Sequence, residues 1–191
     1  FDSRADPEAR AEVSLACEIK FCAPAGALLL RQSWLALQAV VPHPPFLNWS
    51  WIETWIALLP ASSMLWTFTC KRDSETIGIG VAMESDGTRL RGLLSLRQLS
   101  MNESGEEGLD SITSEYCGLL VRTEDASAVY RSLFESMRQV DRRWDEVVFS
   151  STPHAPFISA SLPSGWRIRV AKQRPAYFVD LDTVRSKGAG Y

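Results

Sequence analysis

Metal-binding and redox motifs are scarce in this chain. Only two of its 191 residues are histidine, and its four cysteines include no Cys-x-x-Cys pair. Structural zinc sites use closely spaced cysteine and histidine ligands, so the sequence predicts no metal site. Cys70 and Cys117 each lie in an apolar, strand-like run, which favours buried and reduced thiols. Reduced thiols in turn favour a cytoplasmic location.

The sequence also lacks long apolar runs and an excess of positive charge. No stretch reaches the roughly 18 continuous apolar residues of a membrane-spanning helix. The formal net charge is −3, which argues against a surface for nucleic acid or anionic lipid. We therefore expect neither a nucleic-acid partner nor a membrane span.

The length of 191 residues suits one globular domain. A chain of this size buries roughly 70% of the surface of its unfolded form, enough to fold without a metal or a disulfide. Residues 1–12 are charged and rich in turn-forming residues, which predicts a loose N-terminal arm. The domain itself is expected over residues 13–182.

Two helices are predicted in the first third of the chain. Residues 31–41 have a helix-forming composition, and Pro42 ends this helix because proline disfavours a helical residue before it. Residues 49–59 form the second helix, with Asn48 or Ser50 as its N-cap.

Aromatic residues are dense between positions 45 and 55. This stretch reads Pro-Phe-Leu-Asn-Trp-Ser-Trp-Ile-Glu-Thr-Trp. Trp51 and Trp55 lie four residues apart and so share one face of the predicted helix. That face either packs into the core or forms an aromatic box in which Trp51 contacts a substrate.

From residue 64 onward, apolar residues alternate with a period of two, which predicts strands. A helix with an apolar stripe is predicted over residues 125–140. Turns are expected at residues 73–74 and 84–87, and an acidic loop at residues 102–108. The predicted strands, including one before the helices, cover residues 13–21, 64–71, 76–83, 89–99, 112–121, 145–151, 166–170 and 177–181. Together these elements predict an α+β fold, an α/β sandwich with a mostly antiparallel sheet flanked by helices.

The order of these segments resembles the CelD/FemAB-like branch of the GNAT acyltransferases. The resemblance rests on the aromatic stretch, on the glycine-spaced strand at 76–83 and on Ile-Thr-Ser-Glu-Tyr-Cys-Gly-Leu-Leu at 112–120. A Tyr-x-x-Leu-Phe segment at 130–134 adds to it, and the resemblance extends from Trp34 to Tyr191. These are aromatic and apolar signatures, and none of them is catalytic.

The resemblance implies that residues 13–182 are a GNAT-like domain and the N-terminal half of an acyltransferase. Because this branch carries two such folds in tandem, residues 183–191 would begin a linker to a second half. The whole protein would transfer an acyl group from a CoA or aminoacyl donor to an amine or hydroxyl of a cell-envelope or polysaccharide precursor. Donor chemistry is assigned to the second half, so acyl-CoA is expected in the full-length protein and no cofactor in this part alone.

A phosphate-binding turn of the type that holds acyl-CoA is not found in the sequence. GNAT donors bind to backbone amides of an Arg/Gln-x-x-Gly-x-Gly/Ala turn that opens a helix. The nearest match, Gly78-Ile79-Gly80, lies inside an alternating strand without the spaced arginine or a following helix. We expect these glycines to permit a bulge or the close packing of Trp66.

The candidate catalytic residues are Glu115 and Tyr116, in the middle of the strand predicted at 112–121. A carboxylate in that position needs a partner to stay ionised. The structural interpretation supplies Arg97 or Arg122 from a neighbouring strand. The functional interpretation is a carboxylate that faces the substrate as a hydrogen-bond acceptor or general base.

Further candidates for binding a polar acceptor are Asn102 and Glu103, at the start of the acidic loop. His154 follows Ser-Thr-Pro in a proline-shaped loop and is the remaining candidate. A hydrolase centred on Ser151 and His154 is disfavoured, because no Gly-x-Ser-x-Gly elbow surrounds the serine.

The alternative hypothesis is a non-catalytic binding or protein-interaction module with a GNAT-like fold. The missing donor turn favours it, and the tryptophan cluster would supply the partner surface. The strand predicted at 177–181 has an exposed edge. We expect it to pair with the second half or with another copy of the chain, which would give a homo-oligomer.

Overall fold

The computed structural model describes residues 15–89, 94–106, 110, 115–140, 144–173 and 181–188. The strands in these ranges are β1 (Leu15–Cys22), β2 (Met64–Arg72), β3 (Glu75–Arg89), β4 (Leu94–Met101), β5 (Leu120–Val121) and β6 (Glu146–Val148). The α-helices are α1 (Pro24–Ala27), α2 (Arg31–Gln38), α3 (Trp49–Leu58), α4 (Ala126–Gln139), α5 (Ala155–Ala160) and α6 (Leu181–Ser186). The arm predicted at residues 1–12 lies outside the described residues.

The strands form one sheet in the order β1-β2-β3-β4-β6, with β5 beside β3. The strands β1 to β4 pair antiparallel in sequence order, whereas β4 and β6 pair in parallel. Helices pack on both faces of this sheet. The predicted α+β fold with a mostly antiparallel sheet is therefore confirmed.

Two strands share one edge of β3. Residues 82–89 of β3 pair with β4, and residues 78–79 pair with β5. Between them, the amide of Asn102 donates to the carbonyl of Val81 at 3.1 Å. Several of the predicted site residues lie in the chain between Asn102 and Leu120, the two points at which it pairs with β3.

Two hydrophobic clusters cover the two faces of the sheet. On one face, α4 buries the apolar stripe that its 3.6-residue period predicts. On the opposite face, α2 and α3 pack over β2 and β3. Each large apolar side chain buried in this way stabilises the fold by about 1.5–3 kcal/mol. The stripe of α4 consists of Val129, Tyr130, Leu133, Phe134 and Met137.

Gly78 and Gly80 of β3 leave room for side chains on the α4 face. A Cβ at Gly78 would lie 2.6 Å from Cγ1 of Val129, and a Cβ at Gly80 would overlap Leu119. The register of β2 against β3 also shifts next to Gly78. The expected bulge is present, and the close packing involves Val129 and Leu119 rather than Trp66.

Helix α3 buries a different face from the one predicted. Trp49, Ile52 and Ile56 are buried, whereas Trp51 is 36% exposed and Trp55 is half-buried. The expectation that the Trp51–Trp55 face packs into the core is wrong for Trp51. The core-facing set begins two residues earlier, because Trp49 rather than Trp51 packs against Trp34 of α2.

Two sequence predictions are wrong, one where tertiary pairing overrides a turn signal and one where an alternating segment is irregular. Residues 84–87 were expected to turn because they contain Asp-Gly, but they lie inside β3, where β4 pairs with residues 82–89 and keeps them extended. Residues 166–170 were expected to form a strand, but they are irregular and mostly exposed, and they pair with no strand in the described part of the chain.

Other predicted strands are present in part. The strand predicted at 112–121 is reduced to Leu120–Val121, and its residues 112–114 lie outside the described residues. The strand predicted at 145–151 is the three-residue β6, which is half-buried rather than buried. Of the segment 177–181 only Leu181 is described, and it begins α6. The edge strand proposed there therefore lies outside the described residues.

Cys17 and Cys70 form a disulfide between β1 and β2, at positions that pair directly across the two strands. The expected reduced thiol at Cys70 is therefore wrong, although Cys117 is a buried thiol outside any disulfide, as predicted. A cytoplasmic location stays a prediction, now without the argument from reduced thiols. Among the described residues, no helix has the length and apolar character needed to cross a membrane.

Candidate functional site

Two parallel strands end side by side at the candidate site. Asn102 and Glu103 follow the end of β4 at Met101, and Ser150 lies two residues after the end of β6 at Val148. Because β4 and β6 run in parallel, these carboxyl ends lie at the same edge of the sheet. Ligands commonly bind beyond the carboxyl ends of parallel strands.

Glu103 lies at the centre of this edge. Its Oε2 atom accepts a hydrogen bond from the Ser150 hydroxyl at 2.5 Å. Burial raises the pKa of the Glu103 carboxyl, and the nearby carboxylate of Asp110 raises it further. Hydrogen bonds from Ser150 and from the Cys117 thiol oppose these effects without cancelling them. The net result is a carboxyl group that holds its proton more readily than an ordinary glutamate.

The thiol of Cys117 is not a nucleophile in this arrangement. Burial raises the pKa of Cys117 well above its ordinary value, and the carboxylates of Glu103 and Asp110 raise it further. A thiol that stays protonated reacts poorly, since the thiolate is the reactive form. Cys117 therefore serves Glu103 as a hydrogen-bond partner.

Asp110 fixes the loop that follows Glu103. Its Oδ1 accepts hydrogen bonds from the amide and the hydroxyl of Ser104, both at 2.8 Å, and its Oδ2 accepts from the amide of Gly105 at 2.8 Å. These bonds hold the loop backbone next to β4, so the position of Glu103 is determined on its C-terminal side as well as by the strand.

Asn102 joins the two segments of the site and keeps one hydrogen-bond donor unused. Its Oδ1 accepts from the amide of Gly118 at 2.7 Å. Asn102 is only 3% exposed, yet its Nδ2 has no partner within the described part of the chain. Buried donors without a partner are rare, because leaving one unpaired costs about 1–3 kcal/mol. A ligand atom or a bound water would satisfy this group.

The segment 116–119 is held in place by its backbone. Each of its four amides donates to a separate acceptor. In chain order, the acceptors are the carbonyls of Ser151 and Ser150, the side chain of Asn102 and the hydroxyl of Tyr130. This segment is therefore a fixed wall of the site rather than the strand that the sequence predicted.

His154 reaches the site through Tyr130. The Tyr130 hydroxyl accepts from the amide of Leu119 at 3.3 Å and lies 2.7 Å from Nδ1 of His154. The Tyr130 hydroxyl and Nδ1 of His154 therefore share a hydrogen bond. Burial lowers the pKa of His154 and raises that of Tyr130. Both shifts keep the pair uncharged.

Backbone strain concentrates around this site. Asn102, Tyr116 and Ser151 have positive φ angles of 56°, 60° and 47°. Side chains other than glycine adopt this region rarely, and such residues cluster at functional sites. The other non-glycine residues with positive φ in the described ranges, Asp73 and Ser74, form the predicted turn between β2 and β3.

Aromatic side chains extend the site onto the surface. The ring of Phe46 packs edge-on against Trp51, with centroids 4.8 Å apart, and lies 6.4 Å from the ring of Tyr116. Trp51 thus reaches the wall segment 116–119 through one intermediate ring. The exposed part of Trp51 provides apolar surface at the rim.

The structure brings most of the predicted site residues together. Asn102, Glu103, Tyr116 and His154 all lie on or beside the wall segment, and Trp51 lies at its aromatic rim. Glu115 is different. It was predicted to sit in the middle of a strand and is instead exposed in a bend.

Neither of the arginines proposed as partners of Glu115 supports that interpretation. Arg122 forms an ion pair with Glu75 at 3.7 Å, and Arg97 lies in β4 opposite Asp86. The expected inward-facing carboxylate at Glu115 is therefore wrong, and the carboxylate that the structure places in the site is the half-buried Glu103.

Sequence reasoning missed Ser150, Asp110 and Tyr130 as parts of this site. Ser150 is not among the predicted site residues, and Tyr130 is placed only in the apolar helix at 125–140 and its Tyr-x-x-Leu-Phe segment. Ser150 lies inside the strand predicted at 145–151, and only the earlier end of β6 at Val148 places it beyond a strand end. Its contact with Glu103 depends on the parallel pairing of β4 and β6, which local patterns do not encode.

No donor-binding turn is found at the glycines of β3. Residues 78–80 lie within the strand, with side chains of Val129 and Leu119 packed against them. Among the residues that the structure describes, no group of three or more histidine, cysteine, aspartate or glutamate side chains is placed to hold a metal ion.

Comparisons with known proteins give one structural match. No protein-family model matches the chain, and no curated protein matches it. The fold is similar to a crystal structure of an aminoglycoside acetyltransferase from an uncultured soil metagenomic sample, in complex with sisomicin. The match has 12% sequence identity and a TM-score of 0.39, and covers 84% of this chain and 97% of the other. A similarity of this size assigns neither an activity nor a substrate.

Proposed function

We propose that this chain forms the acceptor-binding part of an acyltransferase, with Glu103 as the general base. The observation that carries the proposal is the Glu103 carboxyl with its raised pKa, at the carboxyl ends of the parallel strands β4 and β6. Next to it, Asn102 has a buried amide donor without a partner in the described ranges. A base and a donor side by side suit the binding and deprotonation of an amine or hydroxyl.

The chemistry assigned to Glu103 follows from its pKa. An acceptor amine must lose a proton before, or as, its nitrogen attacks the acyl carbonyl carbon and the donor's leaving group departs. A carboxylate takes up that proton more effectively when its pKa is closer to the working pH. Burial and Asp110 shift Glu103 in this direction. The Ser150 hydroxyl keeps the carboxylate oriented.

The remaining predicted residues are given supporting roles. Tyr116 and Trp51 would form the rim that an acceptor passes, and the neutral His154 would hold the wall segment through Tyr130. For Glu115 the catalytic role stays a prediction with no structural support beyond its position next to Tyr116.

The proposals for the acyl donor, the acceptor class and the cellular location rest on the sequence resemblance alone. We propose that acyl-CoA binds to the second GNAT-like half of the full-length protein, that the domain and linker follow the predicted boundaries, and that the acceptor is a cell-envelope or polysaccharide precursor. A cytoplasmic location and contact with that second half belong to the same proposal.

The test is acyl transfer by the full product of the gene, measured as release of free CoA from acetyl-CoA over a set of amines. Glu103→Gln should lower kcat at least about 100-fold, the range of a general base. Glu124→Gln, which changes an exposed carboxylate, should leave kcat unchanged. Equal activity of the two variants would remove Glu103 from the chemistry.

A non-catalytic interaction module is the second candidate function. The observation that favours it is the aromatic rim, where Trp51 is 36% exposed and packs edge to face with Phe46. Exposed aromatic side chains are frequent anchors of protein interfaces. On this hypothesis Trp51→Ala abolishes partner binding while the full gene product has no acyl-transfer activity with any amine.

A further inference from the structure

A second concave site, which does not include Glu103, lies where β3 runs past the start of β2. β2 begins at Met64, which pairs with Glu84, whereas β3 continues to Arg89. Beyond Glu84, this edge of β3 has no strand partner within the described ranges. The edge, the turn at residues 60–63 and the loop at 105–106 together enclose a cleft of about 370 Å³. Small-molecule sites start at about this volume.

The cleft is acidic. Glu84, Asp86 and Glu106 line it, and none of its lining residues is a lysine or arginine. Arg97 lies on β4 directly opposite Asp86 and places one positive charge beside the cleft. Three carboxylates against one guanidinium leave a negative potential, which a low-dielectric concave wall strengthens.

Glu84 has a fixed and desolvated carboxylate. It is only 4% exposed, and its Oε2 accepts hydrogen bonds from the indole N–H groups of Trp66 at 2.9 Å and Trp144 at 3.2 Å. Trp66 and Trp144 also pack edge to face, with centroids 4.8 Å apart. The carboxyl group at the base of the cleft is therefore held in position.

Ser63 supplies an independent sign that a ligand binds here. It lines the cleft and is 9% exposed, and its hydroxyl has no hydrogen-bond partner in the described part of the chain. Buried hydroxyls normally find a partner. The Ser63 oxygen can accept a hydrogen bond from a group in the cleft, which an ammonium N–H would donate.

We propose that this cleft binds a small organic polycation, with ammonium groups that pair with Asp86 and Glu106 and donate to Ser63. The site goes beyond the proposed acyl transfer and does not depend on it. Its volume and the spread of its carboxylates along a strand edge and a facing loop suit an extended polyamine. A compact metal ion would need its ligands to converge, and the described residues provide no such group.

The test is calorimetric titration of the chain with spermidine at low salt, repeated on single variants. Removing one exposed charge by Asp86→Asn or Glu106→Gln should weaken binding about two- to fivefold. Arg97→Gln should tighten binding by a similar factor, because it removes the positive charge beside the cleft. Ser63→Ala should weaken binding without changing the number of charges.

The matched control is Glu124→Gln, which removes an exposed carboxylate outside the cleft. If it weakens spermidine binding as much as Asp86→Asn does, the polycation binds to the net negative charge of the protein, and the cleft is not a site. If the titration with spermidine at low salt gives no measurable heat of binding, the proposal is overturned as well. A circular dichroism melt of each variant shows that the folded state is being compared.

Discussion

The hydroxyl of Tyr130 lies 2.7 Å from Nδ1 of His154 and also accepts a hydrogen bond from the amide of Leu119. One buried phenol on α4 thus connects the loop before α5 to the wall of the candidate site. This relationship helps to fix the position of the segment that faces Glu103.

Removing the Tyr130 hydroxyl should destabilise the fold. Tyr130→Phe keeps the ring but leaves the Leu119 amide and Nδ1 of His154 without their partner, so we expect a loss of about 1–3 kcal/mol in the free energy of unfolding. Urea unfolding measures it. Tyr116→Phe is the control, because the Tyr116 hydroxyl makes no hydrogen bond in the described ranges, and its effect should be much smaller. Equal losses would contradict the assigned contact.

Stability should fall in acid because of His154. Its folded-state pKa lies below the ordinary value of about 6.5, so the unfolded chain binds the proton more readily. The contribution of the neutral His154 to stability is fully present above about pH 6.5 and declines as the pH falls from there through the folded-state pKa. The difference in unfolding free energy between the wild type and His154→Gln should therefore shrink between pH 7 and pH 5. A constant difference would show that His154 titrates normally in the fold.

The contribution of Glu103 to stability should change with pH in the opposite direction to that of His154. The folded-state pKa of Glu103 lies above the ordinary value, so its contribution to stability is complete below the unfolded-state pKa of about 4.3 and declines as pH rises to the folded-state pKa. Glu103→Gln should therefore be more stable than the wild type at neutral pH, while its activity is lost. Thermal melts at pH 4 and pH 7.5 test this. A variant that is less stable at pH 7.5 would show that the ionised carboxylate stabilises the fold.

The packing of α4 against β3 depends on Gly78. Gly78→Ala places a methyl group 2.6 Å from Val129, which should cost about 1–3 kcal/mol. Gly87→Ala in the same strand is the matched control, since its new methyl group would meet only atoms at 3.7 Å and beyond. We expect little change there in chemical denaturation. A similar loss at both positions would mean that strand propensity rather than crowding is being measured.

Local patterns were sufficient for the elements whose apolar residues repeat with one period. The stripe of α4 and the alternation of β2 were predicted correctly because each repeats over several turns or residues. Residues 84–87 were not, because Asp-Gly is a good turn signal and only pairing with β4 makes it extended. The disulfide of Cys17 with Cys70 depends on the register of β1 against β2, which neither strand encodes alone.

Several individual site residues were predictable from the sequence, but the contacts that bring them together were not. Asn102, Glu103 and His154 were found because they are polar residues next to strands or prolines. The carboxylate that matters was first assigned to Glu115, because the run 112–121 alternates like a strand. Gly118 and the positive φ of Tyr116 break that strand. The parallel pairing of β4 with β6, which brings Ser150 to Glu103, is a long-range contact.

The most direct test of the central claim is the pH dependence of kcat/KM for acyl transfer by the full product of the gene, with and without Glu103→Gln. The wild type should show an ascending limb whose midpoint lies above the ordinary glutamate pKa, and Glu103→Gln should remove that limb together with most of the rate. An unchanged limb in the variant, or full activity without the carboxylate, would contradict the assignment of Glu103 as the base.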